Sequence, residues 1–334
     1  MKKKISLRSI AEELNLSKTT VSWILSGQGL SKGFNIDTIK RVNDYASAVH
    51  YRPNQLARSL SLGKSHSIGL IVPYISDTFY AQMIEYIEQE ISKKNYFLTI
   101  CCSQGNAKKE LELIHILQSK QVDGIIIAPT DSSGAVVSTL ESFDLPFVLI
   151  DRFFKERNTN YVVLNNQLAA TKLVNQLVAR HATKIALVVS DTYLTAIRDR
   201  MEGYTDGLKQ AGLPFEEKLV ITVNRATYRE EMPAQLATFL QQQPDVDAIL
   251  FATHYLAFAA IKYFIQKKIP YTSNYQLACF HQMEALDVLA PGMLVAQMPL
   301  EKMCTEAVHI LMDAITNEAS GAKQMVFEPT ILSL

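Results

Sequence analysis

A regular alternation of short apolar runs and amphipathic segments, which begins at Ser67, constrains the fold of this chain more than any other feature. Each run is four or five residues long, which suits one buried strand, and segments of 10–17 residues with helical periodicity lie between the runs. Strands that alternate with helices pair in parallel, and helices cover the sheet. The runs are Ile68–Val72, Phe97–Cys101, Gly124–Ala128, Phe147–Ile150, Ile185–Val189, Ala248–Phe251 and Leu277–Phe280.

Length and composition narrow the class of protein. The 334 residues exceed what one compact core usually holds, so we expect two or three domains. Hydrophobic residues make up 48% and charged residues 20%, which is typical of a globular protein. No apolar run reaches membrane-spanning length, and residues 1–8 lack the apolar centre of a signal peptide. Neither disulfide nor zinc spacing joins the cysteines, which predicts a reducing cytoplasm; they are Cys101, Cys102, Cys279 and Cys304.

The formal net charge of zero hides a charge asymmetry along the chain. Residues 1–66 hold 11 Lys and Arg against 4 Asp and Glu, a net charge of +7, whereas the remaining chain holds 22 against 29, a net charge of −7. A small basic head joined to a larger acidic body suggests a module that binds a polyanion. The alternative is a basic tail without a role.

The head has the pattern of three short helices. Ser6 and Ser17 can each accept a backbone N–H of a following helix, and a third helix is expected from about Asn35. Two short helices on a tight turn, supported by a third, form a helix-turn-helix. The apolar positions at helical spacing are Leu7, Ile10, Ala11 and Leu14, then Val21, Ile24 and Leu25, then Ile39, Val42, Tyr45 and Ala46.

The second helix of a helix-turn-helix lies in the major groove of DNA with its N-terminal residues toward the base edges. Lysine can donate to guanine, threonine offers a hydroxyl and a methyl, and a helix N-terminus suits a phosphate. A helical bundle used for protein contacts is the alternative, and the apolar ring of Trp23 on the reading face favours it slightly. The residues predicted to contact DNA in the head are Ser6, Ser17, Lys18, Thr19, Thr20, Ser22 and Trp23.

The segment Ser17–Gly27 resembles the recognition helix of the LacI/GalR family of bacterial repressors, in which the pattern reads Val-Ser-x-x-Thr-Val-Ser-Arg-Val-Leu-Asn-Gly. Trp23 stands where the family usually has Arg, which puts the base preference at that position in doubt. The following connection, residues 28–34, is about three residues longer than the common form and is similar to that of the fructose/sucrose-type branch. Because no strand precedes its glycines, we do not read it as a phosphate loop.

The segment Tyr51–Leu60 matches the hinge motif of the same family, Tyr-x-Pro-Asn-x-x-Ala-Arg-x-Leu, at every fixed position. A helix after Pro53 is under three turns long, so it would be unstable alone and should order on DNA beside its dimer mate. The resemblance implies that a leucine wedges into a base step from the minor groove and kinks the duplex. A plain linker is the alternative. The hinge residues implied to contact DNA are Asn54, Ala57, Arg58 and Leu60.

The resemblance extends over the body and implies an α/β core with two similar lobes of parallel sheets flanked by helices, as in periplasmic sugar-binding proteins, behind the all-α head. We expect the chain to cross between lobes near Leu164 and to cross back near Gln297–Pro299, with a last strand at about Met325–Leu332 in the second lobe. The expected domains are a helix-turn-helix at 1–50, a hinge and linker at 51–66, and an effector-binding and dimerisation core at 67–334. The lobes are expected at about 67–164 plus 299–322 and at about 165–296 plus 323–334.

Ligands of such sheets bind at the carboxyl ends of the strands, so residues there are the candidates for effector contact. Arg200 is the strongest, because it matches the family's Arg-x-x-Gly-Phe and a guanidinium can grip two hydroxyls; a surface salt bridge is the alternative. Aromatic rings can stack on a sugar or simply be core. The full set is Phe79, Tyr80, Asp151, Arg152, Arg200, Thr253, His254, His281 and Gln297.

The second lobe departs from the family where carboxylates usually grip neutral sugars. Thr253-His254 replaces Asn-Asp, His281-Gln282 replaces an acidic pair, and Asn165-Asn166 replaces Asp-Asn. These departures, together with two arginines, suggest a different or more anionic effector such as a sugar phosphate. His254 and His281 lack metal-ligand spacing, so we expect no metal there and no cofactor.

The sequence therefore predicts a homodimeric transcriptional regulator of carbohydrate genes that binds a pseudo-palindromic operator and a sugar-type effector. Apolar stretches near Met83–Ile87 and Tyr255–Ala259 are expected at the dimer interface or in the core. One alternative is a sugar-binding transport protein, and another is a regulator of a non-sugar ligand. An enzyme on this scaffold is disfavoured, because no nucleophile elbow, Walker loop or Gly-x-Gly-x-x-Gly motif occurs.

Overall fold

The structure is a computed structural model that divides into two compact units, residues 1–65 and 66–334, which we describe separately. The residues that it describes are 5–51, 64–130, 134–190, 194–316 and 321–334. Among them, no helix combines the length and the apolar character needed to cross a membrane. The predicted hinge contacts lie outside the described residues; they are Asn54, Ala57, Arg58 and Leu60.

The first unit contains the three predicted helices, α1 (Leu7–Glu13), α2 (Lys18–Leu25) and α3 (Ile36–Ala48). Ser6 caps α1 by accepting the Ser9 backbone N–H at 3.2 Å, and Ser17 caps α2 by accepting that of Thr20 at 3.0 Å. Both predicted caps are confirmed. The apolar faces meet in a small core that contains Ile10, Ala11, Val21, Ile24, Val42 and Ala46.

The second unit contains two sheets, each of six described strands. All the described strand pairs are parallel except one, at the edge of the second sheet. We call each sheet with its flanking helices a lobe. The strands of the first sheet are β1 (Ser67–Val72), β2 (Phe97–Cys102), β3 (Gly124–Ile127), β4 (Phe147–Ile150), β5 (Tyr161–Leu164) and β11 (Gln324–Phe327). Those of the second are β6 (Ile185–Ser190), β7 (Val220–Val223), β8 (Ala248–Phe251), β9 (Gln276–Phe280), β10 (Leu294–Gln297) and β12 (Thr330–Ser333). The first sheet has the order β11-β5-β4-β3-β1-β2, and the second has the order β12-β10-β9-β8-β6-β7.

Helices connect the strands and bury their apolar faces against the sheets, as the alternating pattern predicts. Those before the first crossing are α4 (Thr78–Lys93), α5 (Ala107–Ser119) and α6 (Ala135–Ser142). Those of the middle of the chain are α7 (Asn166–Ala179), α8 (Thr195–Gln210), α9 (Tyr228–Gln242), α10 (His254–Gln266), α11 (Tyr271–Asn274) and α12 (Glu284–Leu289). After the chain returns to the first lobe, α13 (Leu300–Thr316) packs on α4, β3, β4 and β5.

The end of the chain corrects one prediction. The segment expected to form one strand of the second lobe, Met325–Leu332, forms two strands in different sheets. β11 pairs in parallel with β5 of the first lobe, and β12 pairs antiparallel with β10 of the second. Pro329 lies between them and cannot donate a ladder hydrogen bond, so it ends the first strand. The assignment of residues from 323 onward to the second lobe is therefore wrong for Gln324–Phe327.

Candidate functional site

A cavity of about 520 Å³ lies between the lobes at the carboxyl ends of the strands. Its volume lies within the range of pockets that bind small molecules. Eight of the nine predicted effector residues line it: Phe79, Tyr80, Asp151, Arg152, Arg200, Thr253, His254 and His281. Gln297 does not, and its amide instead lies 3.4 Å from the Gln282 Oε1 atom. This correction follows from topology, because β10 is separated from β8 by β9 and stands beside the edge strand β12.

The first-lobe wall of the cavity is a closed hydrogen-bond network. Tyr80 donates its hydroxyl to Asp151 Oδ2 at 2.9 Å, and Arg152 donates to that hydroxyl at 3.0 Å and to the Pro129 carbonyl at 2.9 Å. The Arg152 Nε atom lies 3.3 Å from Asp151 Oδ2. Burial raises the pKa of Tyr80 well above its ordinary value. Tyr80, Asp151 and Arg152 therefore each have a polar partner within the protein.

Arg200, on α8, is 3% exposed and is held mainly by the protein itself. Its Nε donates to Asn166 Oδ1 at 2.8 Å, its Nη1 donates to the Ala252 carbonyl at 2.6 Å, and its guanidinium stacks 4.1 Å from the centre of the Phe280 ring. Burial lowers the pKa of Arg200 to about 10. A side chain at Gly203 would collide with the backbone of α7, so this glycine lets α8 approach closely enough for these contacts.

The second-lobe wall leaves buried polar atoms without partners among the described residues. The Thr253 Oγ1 and His254 Nδ1 atoms are buried and make no hydrogen bond there, although both residues are more than nine-tenths buried. They stand at the N-terminus of α10, where no side chain caps the helix. A buried polar atom without a partner costs about 1–3 kcal/mol, so a ligand group that pairs with it gains that amount.

Among the described contacts between the two lobes, three involve side chains that line the cavity. The His254 Nε2 atom lies 3.0 Å from Asp77 Oδ1, and the ring of Phe79 stacks on that of His281 at 4.3 Å between centroids. The Arg225 guanidinium lies between two tyrosine rings, 4.6 Å from that of Tyr74 in the first lobe and 3.9 Å from that of Tyr255 in the second. Side chains that line the cavity therefore also connect the two lobes that form its walls.

Charge and metal binding can be judged from the same residues. Burial would raise the pKa of Asp77, but the hydrogen bond and the charge of His254 outweigh burial and lower the pKa. Burial, Arg200 and His254 together lower the pKa of His281 well below its ordinary value, so the imidazole is neutral near pH 7. In the part of the chain that the structure describes, no group of three or more His, Cys, Asp or Glu side chains converges on a possible metal position.

Six of the seven predicted DNA contacts that the structure describes in the first unit lie on α2 or at its N-cap. Ser17, Lys18 and Thr19 are exposed, and Thr20 and Ser22 are half-buried. The Ser17 and Thr20 hydroxyls lie 2.8 Å apart. Trp23 is 37% exposed. Ser6 is exposed as well, at the N-terminus of α1.

Comparison with known proteins identifies the family. The profile that describes periplasmic binding proteins and the sugar-binding domain of the LacI family matches residues 65–325. The chain belongs to the LacI family. A sucrose operon repressor from Klebsiella pneumoniae is 29% identical over 98% of both chains, and a ribose operon repressor from Haemophilus influenzae is 23% identical over 97% of this chain and 96% of that one. The chain is thus similar to sugar-operon repressors along nearly its whole length.

Solved structures agree on the fold. A transcriptional regulator CelR in complex with cellobiose superposes over 98% of both chains with a TM-score of 0.73 at 20% identity. The regulator Cra from Pseudomonas putida, in complex with fructose 1-phosphate, covers 80% of this chain and 98% of its own with a TM-score of 0.71 at 18% identity. The LacI-family architecture of a helical head and a two-lobed α/β core is confirmed.

Several residues that line the cavity were not among the effector contacts predicted from the sequence. Asp77 was predictable as a helix cap, since it precedes α4 and accepts the Phe79 N–H at 3.0 Å. Arg225 follows β7, a strand whose apolar run was too weak to be predicted, so no sequence signal placed it at the site. The other missed lining residues include Tyr74, Asn106, Thr130, Ser190, Asn224 and Tyr255.

Proposed function

We propose that this LacI-family chain is a homodimeric repressor of carbohydrate-utilisation genes, and that a sugar or sugar phosphate bound in the cavity sets its affinity for a pseudo-palindromic operator. The unpartnered atoms of Thr253 and His254, in a cavity that the Phe79 ring also lines, carry this proposal. A sugar presents hydroxyls to such atoms and an apolar face to such a ring. The names of the sucrose and ribose operon repressors support the sugar class.

The mechanism couples the cavity to DNA through the angle between the lobes. A ligand that binds one arrangement of the lobes more tightly shifts the population toward it, and residues 51–66 would transmit the change to the head. A coupling free energy of about 1–3 kcal/mol changes operator affinity roughly 5- to 150-fold. Two copies are needed because a helix-turn-helix dimer reads two half-sites. Such a regulator acts in the cytoplasm, where the DNA is, and catalyses no reaction.

The test begins with selection of operator sequences from random DNA by the full chain. Affinity for the selected operator is then measured by fluorescence anisotropy with a panel of neutral sugars, sugar phosphates, purines and amino acids. We expect at least one sugar-type compound to change the affinity fivefold or more. Selection of no DNA sequence contradicts the regulator, and a response to a purine or amino acid alone contradicts the sugar class.

A matched pair of variants locates the effector. Phe79→Ala removes a ring that faces the cavity, whereas Phe215→Ala removes an aromatic ring that is 49% exposed and does not line it. We expect Phe79→Ala to weaken the response to the sugar at least tenfold in ligand concentration, and Phe215→Ala to leave it within twofold. Equal responses of the two variants would place the effector elsewhere.

A further inference from the structure

The two features of the head that depart from the family pattern contact each other. The Phe34 ring lies 6.1 Å from the Trp23 ring, centre to centre, at an interplanar angle of 34°. The Lys32 Nζ atom lies 5.2 Å from the centre of the same Trp23 ring. The long connection between α2 and α3, residues 28–34, therefore packs on the exposed face of α2.

This connection is an ordered turn. Backbone hydrogen bonds of 3.0 Å join Lys32 to Gln28 and Phe34 to Gly29, and the Ser31 hydroxyl donates to the Gln28 carbonyl at 2.9 Å. Gly29 is buried, and a side chain there would lie 2.9 Å from Ile39 of α3. The turn is thus fixed to α3 on one side and to Trp23 on the other, which holds Lys32 beside α2.

Because Lys32 lies against Trp23, the position of Trp23 on α2 gives the position of Lys32 relative to the helix face that would enter the groove. Thr19 and Trp23 are four residues apart in α2, so they lie on one helix face. The N-terminal residues of such a helix reach base edges in the major groove, and phosphates line the groove on both sides. A cation held against Trp23 but outside the helix is therefore at the edge of the groove, within reach of a phosphate.

We propose that residues 28–34 form a second DNA-contacting element, in which Lys32 binds a backbone phosphate and Phe34 positions the Trp23 ring against the bases. Lys32 supplies affinity that is independent of sequence. Trp23, which has one indole N–H donor where the family's usual arginine has a fork of five, makes a mainly apolar contact whose direction Phe34 fixes. The inference rests on the proposed operator binding and adds to it the residues that read and clamp the DNA beyond α2.

The first experiment measures the salt dependence of operator binding by the full chain, with the variants Lys32→Gln and Lys40→Gln. Both remove one positive charge from the head, but Lys40 lies on α3. The logarithm of the association constant falls linearly with the logarithm of the salt concentration. Loss of one phosphate contact per protomer makes this slope less steep by about 0.9 per protomer, or about 1.8 for a dimer. We expect this loss for Lys32→Gln, equally on operator and random DNA, and little change for Lys40→Gln. An unchanged slope for Lys32→Gln, or an equal loss for both variants, overturns the phosphate contact.

The second experiment uses Trp23 as a reporter, since it is the single tryptophan of the chain. We expect operator binding to change its emission, and we expect Phe34→Leu to relax base preference at the positions where Trp23→Ala does, while circular dichroism shows the head still helical. Base preference unaltered by Phe34→Leu overturns its positioning role. If the unsubstituted chain binds no selected operator, the proposed function itself fails; if it binds but Lys32→Gln behaves like Lys40→Gln, only this inference fails.

Discussion

The two walls of the cavity carry different residues at equivalent positions, since β4 and β9 occupy the same place in the two sheets. Asp151 follows β4 in the first lobe and His281 follows β9 in the second, and both adopt a left-handed backbone, with φ of 69° and 68°. Non-glycine residues in this region cost of order 1 kcal/mol or more and cluster at functional sites. The first wall places a hydrogen-bonded carboxylate there, and the second places a neutral imidazole stacked on Phe79.

This difference assigns distinct roles to the two walls. In the first wall, Tyr80, Asp151 and Arg152 contact one another, and we infer that a ligand gains little by pairing with them. In the second, Thr253 and His254 keep buried atoms open among the described residues. We expect changes in the network of Tyr80, Asp151 and Arg152 to alter stability, and changes at Thr253 and His254 to alter ligand affinity.

The largest effect is expected from Arg152→Met, which breaks the first wall. It leaves the Asp151 carboxylate, 6% exposed, without its guanidinium, and removal of one partner of a buried ion pair costs about 3–5 kcal/mol. Urea unfolding at a fixed protein concentration should show this loss. Arg157→Met, which removes an exposed arginine bonded to Ser138, should cost under about 0.5 kcal/mol. Similar losses in the two variants would show that the network does not stabilise the fold.

The next effect is a loss of stability on acidification that depends on His281. Burial first, then Arg200 and His254, lower the pKa of His281 in the folded chain, whereas in the unfolded chain it titrates near 6.5. Below pH 6.5 the unfolded state binds more protons, so the free energy of unfolding falls as the pH falls, by up to about 1.4 kcal/mol per pH unit. Urea unfolding between pH 7.5 and 5.5 should show a smaller fall for His281→Gln. His309→Gln, at an exposed position, should retain the full fall; an equal fall in both variants would contradict a buried neutral His281.

A smaller effect, of opposite sign for stability and for binding, is expected from Thr253→Val. Replacing a buried hydroxyl that has no partner removes a penalty, so the ligand-free chain should gain about 1 kcal/mol in unfolding free energy. The effector should then bind about tenfold more weakly by calorimetry. Thr171→Val removes a hydroxyl that donates at 3.0 Å to the Gln167 and Gly203 carbonyls, so it should only destabilise. A lower unfolding free energy for Thr253→Val, or an unchanged effector affinity, would contradict the proposed difference between the walls.

The sequence predicted most of the fold because local physics determines it. The caps Ser6 and Ser17 satisfy backbone N–H groups within one turn, and apolar runs as short as Ile68–Val72 between helical segments favour buried strands. The prediction from sequence was wrong where the pairing of strands distant in sequence determines to which sheet a segment belongs. The segment before and after Pro329 has strand character throughout, and only the pairing of β11 with β5 assigns its first half to the first lobe.

The site shows the same division. Residues next to strong apolar strands, such as Asp151 after β4, were placed at the cavity because the carboxyl end of a strand is a property of the sequence. Arg225 was missed because β7 has a weak pattern, with a burial alternation rather than a continuous apolar run. The hydrogen bonds that Arg152 and Arg200 donate within the protein were also not predictable. Their acceptors include the backbone carbonyls of Pro129 and Ala252, which are distant in sequence.

The smallest effect is expected at Gln297, the predicted effector residue that the structure places away from the cavity. Its amide contacts Gln282 at 3.4 Å, a long hydrogen bond that contributes little. Gln297→Ala should therefore leave effector affinity within twofold, measured by the same calorimetric titration as Thr253→Val. A tenfold loss at Gln297 would mean that the ligand-bound lobes differ enough in angle to bring the end of β10 into the site. The second wall would then extend beyond α10, and the contrast between the two walls would hold only for the ligand-free protein.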